Sequence, residues 1–252
     1  MRKIDVLGTI VCDLNLSGAV DSAMEMTRTR ASDYIVTPNS EIVLAALNDD
    51  ALRSALNAAA LSLPDGTGVV AASRILGTPL KGRVTGVDLA SALLYRLGNT
   101  GGSVFLLGGR DGIAELAAEN IAKNYPGVVI AGCRGGYFTD EEENGIVEQI
   151  NASSPDFLAV CLGSPKQEKW IARNSERLRV GVMAGLGGTI DVLAGVTRRA
   201  PGLWRALGLE WLFRLICEPW RYKRAARLPL ILLKAAACRI GGKNGKRKAD
   251  RP

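Results

Sequence analysis

The feature that most constrains this chain is an alternation. Short apolar runs of strand length are separated by amphipathic stretches of helical length over most of its 252 residues. Apolar runs at 4–7, 34–37, 61–63, 103–107, 128–131, 157–162 and 181–184 predict strands. Helical spacing predicts helices over 40–47, 51–60, 68–77, 87–97, 112–124, 140–151, 165–174 and 189–194. Asp140 is the expected N-cap of its helix, with Glu141 to Glu143 near the positive helix end. The pattern implies an α/β fold, a largely parallel sheet with helices on both faces.

Ligands of such sheets bind at the carboxyl ends of the strands. Five strand ends here are rich in Gly and Pro: Thr37-Pro38-Asn39, Pro64-Asp65-Gly66, Gly108-Gly109-Arg110, Gly163-Ser164-Pro165 and Gly185-Leu186-Gly187-Gly188. Any one of them reads equally well as a turn; five at one edge point to a site. The chain has no histidine, which removes Ser–His–Asp and Cys–His chemistry, His-ligated zinc and a His general base. Proton transfer then falls to a carboxylate, Lys, Tyr or Cys.

Asp65 is the candidate general base, against the plainer reading of a Pro-Asp-Gly turn. Thr37 and Asn39 could hydrogen-bond sugar or phosphate, or Asn39 could simply cap a helix. Arg83, in Gly82-Arg83-Val84-Thr85-Gly86, is either a solvated surface residue or a bidentate diphosphate ligand. Gln167 opens a helix and could face the cleft. The run Gly185-Leu186-Gly187-Gly188-Thr189 places backbone N–H groups at a helix start, which favours an anion. It is neither a GxGxxG fingerprint nor a GxxxxGK[ST] loop. No Asp-x-Asp occurs, so no paired carboxylates offer a divalent metal a place beside a diphosphate, and no metal or cofactor is expected. Arg, Lys or helix termini would supply positive charge instead.

After about residue 200 the pattern changes. Residues 196–252 hold 15 of the 32 Lys and Arg but only three of the 25 acids, a surplus of 12 positive charges. Residues 1–195 hold 17 basic against 22 acidic side chains. Three of the four tryptophans, Trp204, Trp211 and Trp220, lie among Arg205, Arg214 and Arg221. Bulky apolar groups beside Arg suit an anionic membrane surface better than a nucleic-acid arm. The expected organisation is a body at 1–195, a helical Trp/Arg-rich appendage at 196–240, and a disordered basic tail at 241–252. No run approaches a spanning helix, and Arg2, Lys3, Asp5 and Asp13 leave no apolar signal region, so a cytoplasmic protein lying on the membrane is expected. Cys12, Cys133, Cys161, Cys217 and Cys238, odd in number and without a CxxC pair, read as reduced thiols.

Taken in order, several motifs resemble the WecG/TagA/CpsF family of bacterial glycosyltransferases. They are Thr37-Pro38-Asn39-Ser40-Glu41, Leu63-Pro64-Asp65-Gly66-Thr67-Gly68, Arg83-Val84-Thr85-Gly86-Val87-Asp88, Gly135-Gly136-Tyr137-Phe138, Gly163-Ser164-Pro165-Lys166-Gln167-Glu168 and Arg199-Ala200-Pro201-Gly202. The resemblance covers roughly residues 4–224. It implies a Rossmann-like fold and inverting, metal-independent transfer from a UDP-sugar to an acceptor on a polyprenyl diphosphate. In the teichoic-acid branch the implied donor is UDP-N-acetylmannosamine, the acceptor is undecaprenyl-diphosphate-linked N-acetylglucosamine, and the linkage is β-1,4. UDP-N-acetylmannosaminuronic acid and UDP-glucose are the alternative donors. By resemblance, Asp65 takes the position of the base, and Thr37, Asn39, Arg83 and Gln167 surround donor and acceptor. Gly108, Gly109, Tyr137, Gly185, Gly187, Gly188 and Asp191 fall at the nucleotide. Arg214, Arg221 and Arg224 look like appendage arginines brought over the site of an enzyme bound to the inner face of the membrane. A second copy of the chain is left open as a partner. Two rivals remain, a nucleotide-dependent oxidoreductase and a basic-tailed nucleic-acid binder, and neither accounts for the ordered strand-end motifs.

Overall fold

The computed structural model describes residues 1–217, 219, 222 and 226–249; at 206, 214 and 242–249 the description covers the backbone alone. The chain opens with β1 (Lys3–Val6) and β2 (Thr9–Cys12), paired antiparallel with Lys3 opposite Cys12. The first expected strand therefore lies outside the main sheet. Its turn is made by Leu7 (φ 57°) and Gly8 (φ 86°). Two central residues with positive φ are what a tight hairpin matching strand twist requires. Asn57 ties the hairpin to the body, accepting from Ile10 N–H at 2.8 Å and donating to the Gly8 carbonyl at 2.9 Å. The next element, α1 (Leu16–Thr29), was not anticipated. Its buried stripe is Ala19, Val20, Ala23, Met24 and Thr27, too small and polar to announce a helix.

Six strands then form one sheet: β3 (Asp33–Val36), β4 (Leu61–Ser62), β5 (Ser103–Gly108), β6 (Val129–Arg134), β7 (Phe157–Cys161) and β8 (Val182–Gly185). Their spatial order is β4-β3-β8-β7-β5-β6, and every neighbouring pair is parallel. The connecting helices are α2 (Ser40–Ala46), α3 (Asp50–Ala58), α4 (Thr67–Leu76), α5 (Gly86–Gly98), α6 (Ile113–Asn124), α7 (Glu143–Ser153), α8 (Lys166–Asn174) and α9 (Thr189–Leu193). A parallel sheet covered on both faces needs strands that are apolar throughout. Along β5, Val104 and Leu106 join one core with Leu89, Leu93, Ala117 and Ile121, while Phe105 and Leu107 join another with Leu52, Ile150, Trp170 and Ile171.

Asp140 is not a cap. Its helix starts three residues later, at Glu143. The entry is a turn in which the Glu142 carboxylate accepts from the Thr139 N–H at 2.9 Å and from Arg134 at 3.0 Å.

The C-terminal part contains α10 (Gly202–Ala206), α11 (Glu210–Cys217) and α12 (Arg227–Ala249). Ile231 and Ala235 of α12 are fully buried in a third core with Ile4, Val6, Val43, Val69 and Ala72. The helix continues through 241–249, where composition predicts disorder. Among the described residues, no helix is long and apolar enough to cross a membrane.

Candidate active site

The carboxyl ends of β4, β3, β8 and β7 open into a cavity of about 310 Å³. Its lining includes Ser40, Thr67, Gly86 and Thr189, the first residues of α2, α4, α5 and α9, and the Gly163-Ser164 loop that enters α8. Helix starts present N–H groups and partial positive charge. Neither α4 nor α8 has a side-chain cap on those groups. The close convergence depends on Gly68: a Cβ there would meet Ser40 Oγ at 2.0 Å and Leu228 Cδ1 at 2.7 Å.

Asp65 stands half-buried in the cavity wall between β4 and α4. Its loop is tied on both sides, by Asp65 N–H to the Pro38 carbonyl at 3.1 Å and by Val84 N–H to the Pro64 carbonyl at 2.9 Å. Gly66, at φ 89°, makes the turn into α4. The turn reading and the cleft reading are thus both met, because the turn is what presents the carboxylate.

Thr37, Asn39, Arg83 and Gln167 line the same cavity. Thr37 is buried and donates to the Gly185 carbonyl at 3.1 Å. Asn39 caps α2, its Oδ1 accepting from the Glu41 and Ile42 N–H groups at 2.9 and 3.1 Å. Its Nδ2 donors are the part suited to a ligand. Gln167 Oε1 accepts from the Gly187 N–H at 2.8 Å, and its Nε2 donates to Glu168 Oε1 at 2.9 Å. That chain fixes the Gly-rich turn after β8. Burial pushes the Glu168 carboxyl up in pKa, a rise only partly offset by the Gln167 hydrogen bond. Behind the wall, Thr85 caps α5 and its hydroxyl donates to Asp88 Oδ2 at 2.7 Å, while Arg199 donates to Asp88 Oδ1 at 2.5 Å. Burial raises the Asp88 pKa, but Thr85 and Arg199 outweigh it and hold the carboxyl below its ordinary value.

The expected nucleotide residues divide. Gly187 and Gly188 line the cavity. Gly185 sits just behind it, so close to Gln167 that a Cβ would stand 3.2 Å from Nε2. Asp191 lies on α9, its carbonyl accepting from the Val196 and Thr197 N–H groups, and is not part of the lining. Gly108, Gly109 and Tyr137 gather instead over β5 and β6, outside the cavity. Gly136 N–H donates to the Gly109 carbonyl at 2.8 Å, and Tyr137 is 77% exposed. Arg221 and Arg224 lie outside the described residues, as does the side chain of Arg214.

Sequence reasoning missed Glu41, Glu210, Trp211, Leu215 and Leu228, which also line the cavity. For Glu210 a signal existed: it is one of three acids in the strongly basic segment after 195. Among the described residues, no group of three or more His, Cys, Asp or Glu side chains is placed to hold a metal ion.

A family model described as the glycosyl transferase WecG/TagA/CpsF family matches residues 4–245, well past residue 224, where the resemblance read from the motifs ends. A relative from Bacillus spizizenii is 36% identical over 196 residues, covering 78% of this chain and 76% of its own length. One from Staphylococcus aureus is 32% identical over 246 residues, 97% of this chain and 96% of the relative. Both carry the name N-acetylglucosaminyldiphosphoundecaprenol N-acetyl-beta-D-mannosaminyltransferase.

Proposed function

The chain belongs to the WecG/TagA/CpsF family of glycosyl transferases, and from that premise we propose that it moves N-acetylmannosamine from UDP-N-acetylmannosamine to N-acetylglucosamine on undecaprenyl diphosphate, forming a β-1,4 linkage in surface-glycan synthesis. The observation that carries this reading is Asp65, a half-buried carboxylate in a cavity ringed by helix starts.

The reaction is a single displacement. The Asp65 carboxylate takes the proton of the acceptor hydroxyl as that oxygen bonds to the anomeric carbon. The bond from that carbon to the diphosphate oxygen breaks, its electron pair leaves with UDP, and attack from the opposite face inverts the centre. A positioned carboxylate base contributes about 10²–10⁴-fold. Preorganised N–H groups at the starts of α4 and α8 and on the Gly187-Gly188 turn supply positive character where the leaving oxygens gain charge. Thr37, Asn39 and Gln167 orient sugar or phosphate, while Gly108, Gly109, Gly185, Tyr137 and Asp191 serve the nucleoside end. Arg214, Arg221 and Arg224 stand over the diphosphates.

Residues 1–195 act as the catalytic body, and residues 196–240 complete the cavity and meet the cytoplasmic face of the membrane. The support lies in α10 and α11: Leu203, Leu207 and Ile216 are exposed apolar side chains on the segment whose Trp211 and Leu215 line the cavity. Exposed apolar groups amid a surplus of cations favour anionic lipid. A lipid-borne acceptor would then reach Asp65 without leaving the bilayer surface.

The test is purified protein with the lipid-linked acceptor, UDP-N-acetylmannosamine and EDTA, following UDP release and product linkage. A β-1,4 disaccharide in EDTA is expected. Product with only another UDP-sugar would keep the mechanism and change the donor; no product with any UDP-sugar would overturn the proposal.

A further inference from the structure

Arg83 reaches the cavity from the loop between α4 and α5, yet its guanidinium is committed to the C-terminal helices. Nη2 donates to the Arg205 carbonyl at 2.7 Å, and Nη1 stands 3.5 Å from Glu210 Oε2. Arg205 belongs to α10 and Glu210 opens α11, so one side chain of the body grips both. Glu210 is 8% exposed, a depth at which a carboxylate requires a charged or hydrogen-bonding partner. It is also an acid in a segment otherwise dominated by cations, which would repel Arg83. A second close approach lies between the two helices. Gly208, at φ 73°, stands so near α4 that a Cβ would come within 2.8 Å of Thr67 Cγ2. Just beyond it, Trp211 and Leu215 of α11 form the cavity wall facing the helix starts.

We infer that Arg83 and Glu210 are positioning residues, a strut that seats the α10–α11 wall against the body so that Trp211 and Leu215 enclose the acceptor end of the cavity. Arg83 thus acts on the substrate through the wall and not as a ligand of the diphosphate. The inference rests on the cavity being the transfer site, but the strut itself has a readout independent of transfer.

Full-length Arg83→Met, Glu210→Gln and the double variant are compared with the parent by hydrogen exchange over residues 202–217, by UDP affinity, and by kcat and KM for the lipid-linked acceptor. Residues in contact commonly couple strongly enough that each single variant should raise acceptor KM about tenfold. Each should also speed exchange in 202–217 and leave UDP affinity essentially unchanged. The double variant should be no worse than Arg83→Met, and Arg83→Lys should recover part of the loss. Glu210→Gln preserves shape and carries the test alone if Arg83→Met fails to fold. Unchanged exchange in both single variants would overturn the strut. So would a loss of UDP affinity confined to Arg83→Met with additive kinetics, which would make Arg83 a phosphate ligand. If no donor supports transfer, the exchange result still decides the strut while the functional reading falls separately.

Discussion

The carboxyl edge of the sheet has two halves, and they are built from different materials. Over β4, β3, β8 and β7 the loops carry polar side chains, and Thr37, Asn39, Asp65 and Gln167 share one cavity. Over β5 and β6 the loops carry glycines and an exposed tyrosine. There Gly108, at φ 139°, packs so closely on the next strand that a Cβ would lie 2.3 Å from the Cys161 carbonyl oxygen. The first half works through functional groups and the second through backbone approach. The contrast suggests a division between bond-making and nucleoside recognition, and substitutions on each side should separate kcat from UDP affinity.

The largest expected effect is in the polar half. Asp65→Asn should lower kcat by about 10²–10⁴-fold while UDP affinity, measured by calorimetry, stays near that of the parent. An equal loss of UDP binding would move Asp65 to the nucleotide and blur the two halves. In the glycine half, Gly108→Ala should cost about 1–3 kcal/mol of stability, since the added methyl meets backbone at a φ that side chains avoid; thermal unfolding checks this. Tyr137→Ala should leave stability unchanged and weaken UDP binding about tenfold, within the range for an aromatic stacking on a base. No change in UDP affinity would take Tyr137 out of the site.

The smallest effect concerns Glu168 beneath Gln167. Its pKa is raised in the folded chain, so the native state holds a proton that the unfolded state releases. Stability from this group is present below the ordinary carboxylate value and is lost as pH rises through the raised one. Glu168→Gln should therefore be increasingly stabilised relative to the parent over that interval, as denaturant titrations at several pH values would reveal. A constant difference across pH would mean that Glu168 is ionised in the folded state.

The polar half was the more legible in sequence, because its loops use residues that punctuate a chain. Pro64-Asp65-Gly66 and Thr37-Pro38-Asn39 mark both a strand end and a chemistry. The alternation of apolar and amphipathic segments located the parallel sheet, since strands buried on both faces are apolar without interruption. What escaped was structure with weak local signals. Leu7 at φ 57° is not a residue that announces a hairpin, and a helix whose buried face is largely Ala and Thr carries little amphipathic contrast. The wall formed by α10 and α11 was read from composition as an appendage. Its attachment through Arg83 and Glu210 joins residues 127 positions apart, which no local pattern encodes. The burial of Ile231 and Ala235 is of the same kind, a tertiary contact between the last helix and the first hairpin.

The central claim is that acceptor and leaving group meet in the polar half of the sheet edge. Its most direct test is a structure of the Asp65→Asn variant with UDP and a short-chain lipid-linked acceptor. The account predicts the reacting sugar hydroxyl at about 2.6–3.2 Å from the side chain at position 65, with the diphosphate against the helix starts. An acceptor lying over Gly108 and Gly109, with its hydroxyl beyond the reach of position 65 even through one water, would contradict it.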